Sequence, residues 1–440
     1  MSDEETPARR DLPQLIGDCV HCGFCLPTCP TYVLWGEEMD SPRGRIHLMD
    51  QHVRGEPLSD AMVEHFDRCL GCMACVTACP SGVRYDRMIE MTRADVEREH
   101  PRPLPERLVR EAVFRLFPYP NRLRALRGPL RAYQRTGLDR LVRRTGLLER
   151  ISPSLAAMER LAPPLSRAPR LPERVGARGG RRATVGMLTG CVQREFFPGV
   201  NAATARVLAM EGCEVVIPRS QGCCGALSLH SGREEEARAF ARRTVVAFEA
   251  VDVIVVNAAG CGSAMKEYRD LLADDPEWAG RADALSAKTR DLAEFLVELG
   301  PRAERRPVPV TVAYHDACHL SHAQGVRSQP RALLAGIPEL EVREIADPDI
   351  CCGSAGTYNL LQPEAAAELG GRKAAGVRAT GADLLVAANP GCSMQIATAL
   401  ERQGTPLAVA HTAEVLDASL RGTGAAGLLR RGRGGAAPGR

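Results

Sequence analysis

The chain has 440 residues, a net charge of +3 and a hydrophobic fraction of 45%. This length is enough for two or three domains with ordinary cores, and no stretch approaches the ~18 apolar residues that a membrane-spanning helix needs. Seventeen cysteines without a hydrophobic secretion signal argue against a disulfide scaffold, and predict a cytoplasmic protein in a reducing compartment.

The first feature along the chain is a pair of cysteine runs with identical spacing, Cys-x2-Cys-x2-Cys-x3-Cys-Pro. This spacing is typical of two-cluster ferredoxins, in which the fourth cysteine of each run binds the cluster of the other run. The runs therefore predict two 4Fe–4S clusters, the first bound by Cys19, Cys22, Cys25 and Cys79, and the second by Cys69, Cys72, Cys75 and Cys29. Zinc is a poorer interpretation, because zinc ribbons use pairs of cysteines rather than runs of four.

The residues around these runs have helical patterns. Apolar residues recur at helical spacing over 60–66, and a second helix is predicted over 86–99. Because strand patterns are scarce, residues 1–100 are predicted to form a mostly helical ferredoxin domain.

A basic, proline-interrupted segment follows over residues 101–182. From Arg102 to Arg182 there are twenty arginines against six acidic residues. Val113, Phe114, Leu116 and Phe117 lie among arginines, which would suit a surface helix that contacts anionic lipid. We favour a helical connector that wraps the neighbouring domains with its arginines solvated. A nucleic-acid partner is not expected, because aromatic residues are not interleaved with the basic ones.

From residue 183 the sequence repeats itself. Three cysteine motifs recur, with Cys318 following Cys191 by 127 residues, Cys351 following Cys223 by 128, and Cys392 following Cys261 by 131. This internal duplication predicts two modules, 183–300 and 301–420. The remaining residues, 421–440, are rich in glycine and arginine and are predicted to be disordered.

Each module alternates Val/Ile-rich runs with helical ones, such as 233–249 and 364–379, which predicts a parallel sheet covered by helices. The repeated cysteines follow the predicted strands, and open α/β sheets bind ligands at the carboxyl ends of their strands. We therefore expect one crevice in each module, lined by Cys191, Cys223, Cys224 and Cys261 in the first and by Cys318, Cys351, Cys352 and Cys392 in the second. These are candidate ligands for an iron–sulfur cluster or zinc, with buried structural thiols or a disulfide as the alternative. The glycine after each cysteine pair would permit the tight turn that directs both sulfurs to one site.

Other reactive side chains receive simpler interpretations. His315, His319 and His322 flank Cys318 and could ligate a metal or relay protons. Because the first module has no counterpart to them, we favour their interpretation as polar loop residues. Cys213 lies between a helix and a strand and is predicted to be a buried structural thiol.

With these motifs identified, the chain resembles the iron–sulfur subunit of glycolate oxidase (glycolate dehydrogenase). The resemblance rests on CVHCGFCLPTCPTYVLWGEEMDSPRGRI, DRCLGCMACVTACPSGVRYD, both Cys-Cys-Gly modules and YHDACHLSHAQG, and it covers nearly the whole chain. The layout is also similar to the C subunit of anaerobic glycerol-3-phosphate dehydrogenase and the D subunit of heterodisulfide reductase. The expected fold class is α+β and multidomain: a mostly helical two-cluster 4Fe–4S ferredoxin domain, then two repeated α/β Cys-Cys-Gly modules.

The resemblance implies an electron-transfer subunit that is inactive alone. Flavin-binding partner subunits would oxidise glycolate, and the 4Fe–4S clusters would pass the electrons to a quinone-level acceptor, with contact to the cytoplasmic face of the inner membrane left open. The sequence itself has no Gly-x-Gly-x-x-Gly motif opening a helix. The alternatives are lactate or glycerol-3-phosphate as substrate, a heterodisulfide-reductase-like subunit, and a cluster-based sensor. Ala264 and Gln395 stand where heterodisulfide reductases have a further cysteine, which argues against their five-thiolate cluster.

Overall fold

The computed structural model describes residues 11–165 and 171–430. The N-terminal domain is helical throughout, with no strand between residues 11 and 100, as the sequence predicts. Its elements are α1 (Leu12–Ile16), α2 (Pro30–Trp35), a 3-10 helix (Glu38–Asp40), α3 (Pro42–Val53), α4 (Asp60–Asp67), α5 (Ala74–Ala78) and α6 (Tyr85–Glu99). The Ser59 hydroxyl caps α4 by accepting a hydrogen bond from the amide of Met62, which fixes the start of the predicted helix at 60.

The connector is a run of five helices that packs on its neighbours. These are α7 (Leu104–Leu116), α8 (Pro120–Arg135), α9 (Leu138–Thr145), α10 (Leu147–Ile151) and α11 (Pro153–Arg160). Val113 and Phe114 are buried, so these two side chains do not form the lipid-facing surface that the sequence left open. The prediction of solvated arginines is wrong for Arg102 and Arg110, since Arg102 is half-buried, Arg110 is buried, and both form ion pairs with Glu97.

Each repeat folds into a small parallel sheet flanked by helices. The first module contains β1 (Arg174–Val175), β2 (Ala183–Leu188), α12 (Val192–Phe196), α13 (Pro198–Met210), β3 (Cys213–Val216), α14 (Ala226–Leu229), α15 (Glu234–Phe248), β4 (Val253–Val256), α16 (Ala259–Lys266), α17 (Tyr268–Leu271), α18 (Ala279–Ala287), β5 (Thr289–Asp291) and α19 (Leu292–Leu299). The second contains β6 (Val310–His315), α20 (Cys318–Ser321), α21 (Ser328–Ala335), β7 (Leu340–Glu344), α22 (Tyr358–Leu361), α23 (Pro363–Ala379), β8 (Leu384–Ala387), α24 (Pro390–Arg402), β9 (Ala408–Ala410), α25 (Thr412–Arg421) and α26 (Ala426–Leu429).

The duplication in sequence is also a duplication in topology. The strand orders are β1-β3-β2-β4-β5 and β7-β6-β8-β9, and every neighbouring pair is parallel except β1 with β3. The central strands end in equivalent registers, because Leu188 pairs with Val256 and His315 pairs with Ala387. Leu188 and His315 therefore occupy the same place in the two modules.

The two modules share one large hydrophobic cluster, and each module also has a second cluster that is mostly its own. Val185 and Leu208 of the first module belong to the same buried cluster as Val312 and Leu416 of the second, and α13 packs along α25. This joint packing fixes how the two sheets face each other.

The prediction that the chain is disordered from residue 421 is wrong as far as residue 430. Residues 426–429 form α26, with Leu428 buried in the shared core and Leu429 packed against it. Residues 431–440 lie outside the described part of the chain.

Candidate metal centres

The N-terminal domain brings its eight cysteines to two neighbouring small cavities. Cys19, Cys22, Cys25 and Cys79 line one of them, together with Cys75. Cys29, Cys69, Cys72 and Cys75 line the other. The last cysteine of each run thus sits with the first three of the other run, because Cys29 begins α2 and Cys79 ends α5. This placement agrees with the crossed ligand sets that the spacing predicts, which remain predictions.

The second of these cavities is electrostatically prepared for thiolates. Burial by itself raises the pKa of Cys69, but the charges of Arg45 and Arg93 and a hydrogen bond from the amide of Gly71 outweigh it, so this pKa lies below its usual value. Burial dominates at Cys72 and Cys75 and raises the pKa of both thiols well above the usual value. A positively charged iron cluster would be needed to hold those two as thiolates.

The second cavity also touches the second module. Leu70 and Cys72 belong to a buried cluster with Cys351 and Tyr358, and Nε2 of His319 lies 2.9 Å from the backbone oxygen of Gly71. The loop that carries Cys69 and Cys72 therefore packs directly on the cysteine-bearing edge of the second module.

In each module the four cysteines form a row of sulfur contacts. In the first module the sulfurs of Cys191 and Cys223 are 3.7 Å apart, and hydrogen bonds from Cys223 and Cys261 lower the pKa of Cys224. In the second the sulfurs of Cys318 and Cys351 are 4.0 Å apart, and Cys352 contacts both Cys351 and Cys392.

The glycine of each Cys-Cys-Gly motif is required by close packing as well as by its backbone angle. Gly225 has φ +80° and Gly353 has φ +87°. A Cβ atom would lie 3.2 Å from the backbone oxygen of Ala237 at the first position and 2.7 Å from that of Ala366 at the second. Only glycine allows this turn to pack against α15 or α23.

The prediction of two separate crevices is wrong, because both rows of cysteines reach a single cavity. This cavity of about 570 Å³ is lined by Cys191, Cys223, Cys224, Cys261, Cys318, Cys351 and Cys392, and also by Cys69. The carboxyl edges of the two sheets meet where α16, which carries Cys261, packs on α20, which begins at Cys318. Cys352 is buried behind the cavity wall.

The interpretation of the three histidines as polar loop residues is wrong for His315 and His319. His315 ends β6 and is buried, and burial lowers its pKa to about 3. Burial likewise lowers the pKa of His319 to about 3, and its ring meets that of His230 edge-on, with ring centroids 4.8 Å apart. A clue to His315 was its position at the end of a Val-rich strand, whereas no motif marks His230. Cys213 is buried in the shared core, where desolvation raises its pKa to about 11.

Comparison with known proteins assigns the same regions. A family model described as a 4Fe-4S dicluster domain matches residues 16–83, and one for a cysteine-rich domain matches 185–266 and 312–397. The linker region of the glycolate oxidase iron-sulfur subunit matches residues 105–162. The "Probable glycolate oxidase iron-sulfur subunit" of Bacillus subtilis (strain 168) is 39% identical over 424 residues, covering 94% of this chain and 95% of that protein.

The chain belongs to the glycolate oxidase iron–sulfur subunit family. The "Glycolate oxidase iron-sulfur subunit" of Escherichia coli (strain K12) is 37% identical over 391 residues, covering 87% of this chain and 89% of that protein. The "Lactate utilization protein A" of Shouchella clausii (strain KSM-K16) is 35% identical, and the match covers 53% of this chain and 98% of that protein.

The match to the dicluster domain confirms the prediction that iron–sulfur clusters are the cofactors. The matches also confirm the α+β multidomain class, with a ferredoxin domain followed by two cysteine-rich modules. Within residues 11–165 and 171–430, no helix is both long and apolar enough to cross a membrane.

Proposed function

We propose that this member of the family is the electron-transfer subunit of a glycolate-oxidising flavoprotein complex. The observation that carries the proposal is the placement of two cysteine-lined cavities side by side, with Cys75 in the wall of both. When bound, the two 4Fe–4S clusters supply one-electron uptake and release, which suits them to follow a two-electron flavin. The ligand sets are those predicted from the spacing, with Cys79 and Cys29 exchanged between the runs.

The first cavity is the one that can meet a partner subunit. Cys22 is exposed there, and Val20 and Phe24 beside it are 69% and 66% exposed. Large exposed apolar side chains next to a redox site are typical of a docking surface. The flavin-binding subunits are therefore proposed to dock at this loop, while the second cavity leads inward to Cys318 and Cys351.

Several finer assignments belong to the same proposal. The acceptor is of quinone level, the complex is cytoplasmic with peripheral membrane contact, and the chain acts on no CH–OH donor by itself. The functional units are 1–100, 101–182, 183–300 and 301–420. A further cluster is held by the row of Cys191, Cys223, Cys224 and Cys261. The chain should therefore contain more than about eight irons, and replacing both Cys223 and Cys224 by serine should lower that number.

A lactate-oxidising complex is the second candidate, supported by the 35% identity to a lactate utilization protein. Glycolate is favoured because the glycolate oxidase relatives match over 94% and 87% of this chain, and the lactate relative over 53%.

The test is reconstitution of the full chain, with its clusters, alone and with the flavin-binding subunits. Dye reduction would be followed with glycolate and with lactate. We expect no turnover by the chain alone and turnover of glycolate by the complex. Rapid glycolate oxidation by the isolated chain would reject the electron-transfer assignment, and a preference for lactate would select the second candidate.

A further inference from the structure

The second module contains a compact group of three metal-binding side chains. A ring nitrogen of His315 and the sulfurs of Cys352 and Cys392 all lie within 4.8 Å of one another. All three residues are buried, at 2%, 1% and 3% exposure. Within residues 11–165 and 171–430, no other set of three His, Cys, Asp or Glu side chains is this close.

These separations fit the binding of a single metal ion. Two sulfurs that are each about 2.3 Å from one tetrahedral ion lie roughly 3.8 Å apart. The thiolates of a cubane each bind a different iron atom, so they stand farther from one another. The eight cysteines of the N-terminal domain accordingly form no such compact group among the described residues.

We propose that the second module binds one zinc ion through His315, Cys352 and Cys392. Two thiolates and one imidazole are a donor set that zinc accepts, with a fourth tetrahedral position left over. Cys392 lines the central cavity, so this side of the site is reached from there. The site is independent of the electron-transfer role proposed above.

The polar atoms at this group are arranged as a metal site requires. Nε2 of His315 is buried and makes no hydrogen bond, which is costly for a group with no ligand. The Asn389 amide donates to the sulfur of Cys392 across 3.4 Å, a contact that supports a thiolate.

A buried cation adds to this support. Lys373 is 4% exposed, and its ammonium group donates to the backbone oxygen of Asp347. Burial lowers the pKa of Lys373, and Cys352, Cys351, Asp347 and Asp316 oppose this by favouring its charge. Lys373 therefore lies close enough to Cys352 for its charge to favour the thiolate form of that ligand.

The first module lacks these features at the equivalent positions. Leu188 takes the place of His315 at the end of the central strand. Gly225 packs on Ala237 of α15 just as Gly353 packs on Ala366 of α23, so these two helices are equivalent in the two modules. The residue of α15 that is equivalent to Lys373 is therefore Thr244. The two modules are therefore chemically distinct despite their common fold, and the mixed imidazole–thiolate site belongs to the second alone.

The test measures metals in the full chain purified anaerobically with its clusters. Zinc and iron are counted by mass spectrometry for the wild type, His315→Leu, Cys392→Ser and the matched control Cys261→Ser, the equivalent cysteine of the first module. We expect about one zinc per chain in the wild type. Zinc should fall about tenfold or more in the two site variants and stay unchanged in the control. The paramagnetic signals of the N-terminal clusters report whether each variant folds.

A second measurement needs no variant. Cobalt(II) exchanged into the wild-type chain should give the visible absorption bands of a tetrahedral ion. It should also give a thiolate-to-cobalt charge-transfer band whose intensity corresponds to two thiolate ligands. A wild-type chain that holds neither zinc nor tetrahedral cobalt would overturn the proposal. Loss of iron rather than zinc in Cys392→Ser would also overturn it, and would assign the second module a cluster.

Discussion

Nε2 of His319 donates a hydrogen bond of 2.9 Å to the backbone oxygen of Gly71, which joins the second module to the loop between Cys69 and Cys72. A carbonyl oxygen only accepts, so Nε2 carries the proton and Nδ1 is unprotonated. His319 is half-buried, and His230 packs against its ring edge-on. The second cluster site is thus held in place by a residue from a different domain.

Replacing His319 by leucine should loosen this loop. The oxygen of Gly71 would lose its partner in a buried place, at a cost of about 1–3 kcal/mol. We expect faster amide hydrogen exchange over residues 69–79 in the cluster-loaded chain. The matched control is Thr77→Val, which removes the exposed contact between Thr77 and His322. Equal exchange in both variants would show that His319 does not hold the loop.

Replacing the fourth cysteine of each run should show whether it binds the cluster of the other run. Cys29→Ser should change the paramagnetic spectrum of the cluster bound by Cys69, Cys72 and Cys75, and Cys79→Ser that of the other cluster, because the two side chains line opposite cavities. The reduced full-length variants are compared by paramagnetic resonance. If each variant instead alters the cluster of its own run, the assignment is wrong.

Removing the charge of Arg45 should lower the reduction potential of the second cluster. This guanidinium is buried and donates to the backbone oxygen of His65 across 2.6 Å. Burial alone would lower its pKa, yet Cys69 and other nearby acidic groups raise it. A fixed cation favours the more negative, reduced cluster. Arg45→Met should shift the potential by roughly −60 mV, a tenfold change in a one-electron equilibrium.

A redox titration followed by paramagnetic resonance measures this shift. Arg43→Met is the control, because Arg43 is partly exposed, is paired with Glu38 and lines the first cavity. The control should leave the second potential unchanged. A positive shift in Arg45→Met would contradict the expectation.

His411 should make the protein less stable in mild acid. Its Nδ1 accepts the amide of Ala413 at the start of α25, its Nε2 donates to the backbone oxygen of Asn257, and burial lowers its pKa to about 4. As the pH falls, the His411 ring is protonated at a higher pH in the unfolded chain than in the folded protein. The free energy of unfolding therefore decreases between about pH 6.5 and about pH 4, by up to roughly 3 kcal/mol.

Apparent unfolding temperatures between pH 7 and pH 5 measure this effect. His411→Asn keeps an acceptor for the helix cap but does not titrate, so its unfolding temperature should depend less on pH. The control is His47→Gln, because His47 is exposed to solvent in the folded protein. A pH dependence as steep in His411→Asn as in the wild type would rule out this origin.

The sequence alone determined the parts of the site that are encoded by local spacing. The two cysteine runs, the helices α4 and α6, and the repeat of three cysteine motifs are all readable from neighbours along the chain, because helical periodicity and ligand spacing are local properties. The family followed from the same motifs. The sequence also placed the cysteines after strands, where parallel sheets bind ligands.

Only the tertiary structure decided what those motifs meet. The packing of α16 on α20 merges two expected crevices into one cavity, and the shared core orders α26. It also buries His315 beside Cys352 and Cys392 and brings His319 to Gly71. Such contacts join residues up to 248 positions apart. They depend on how two apolar surfaces fit together, which no local pattern encodes.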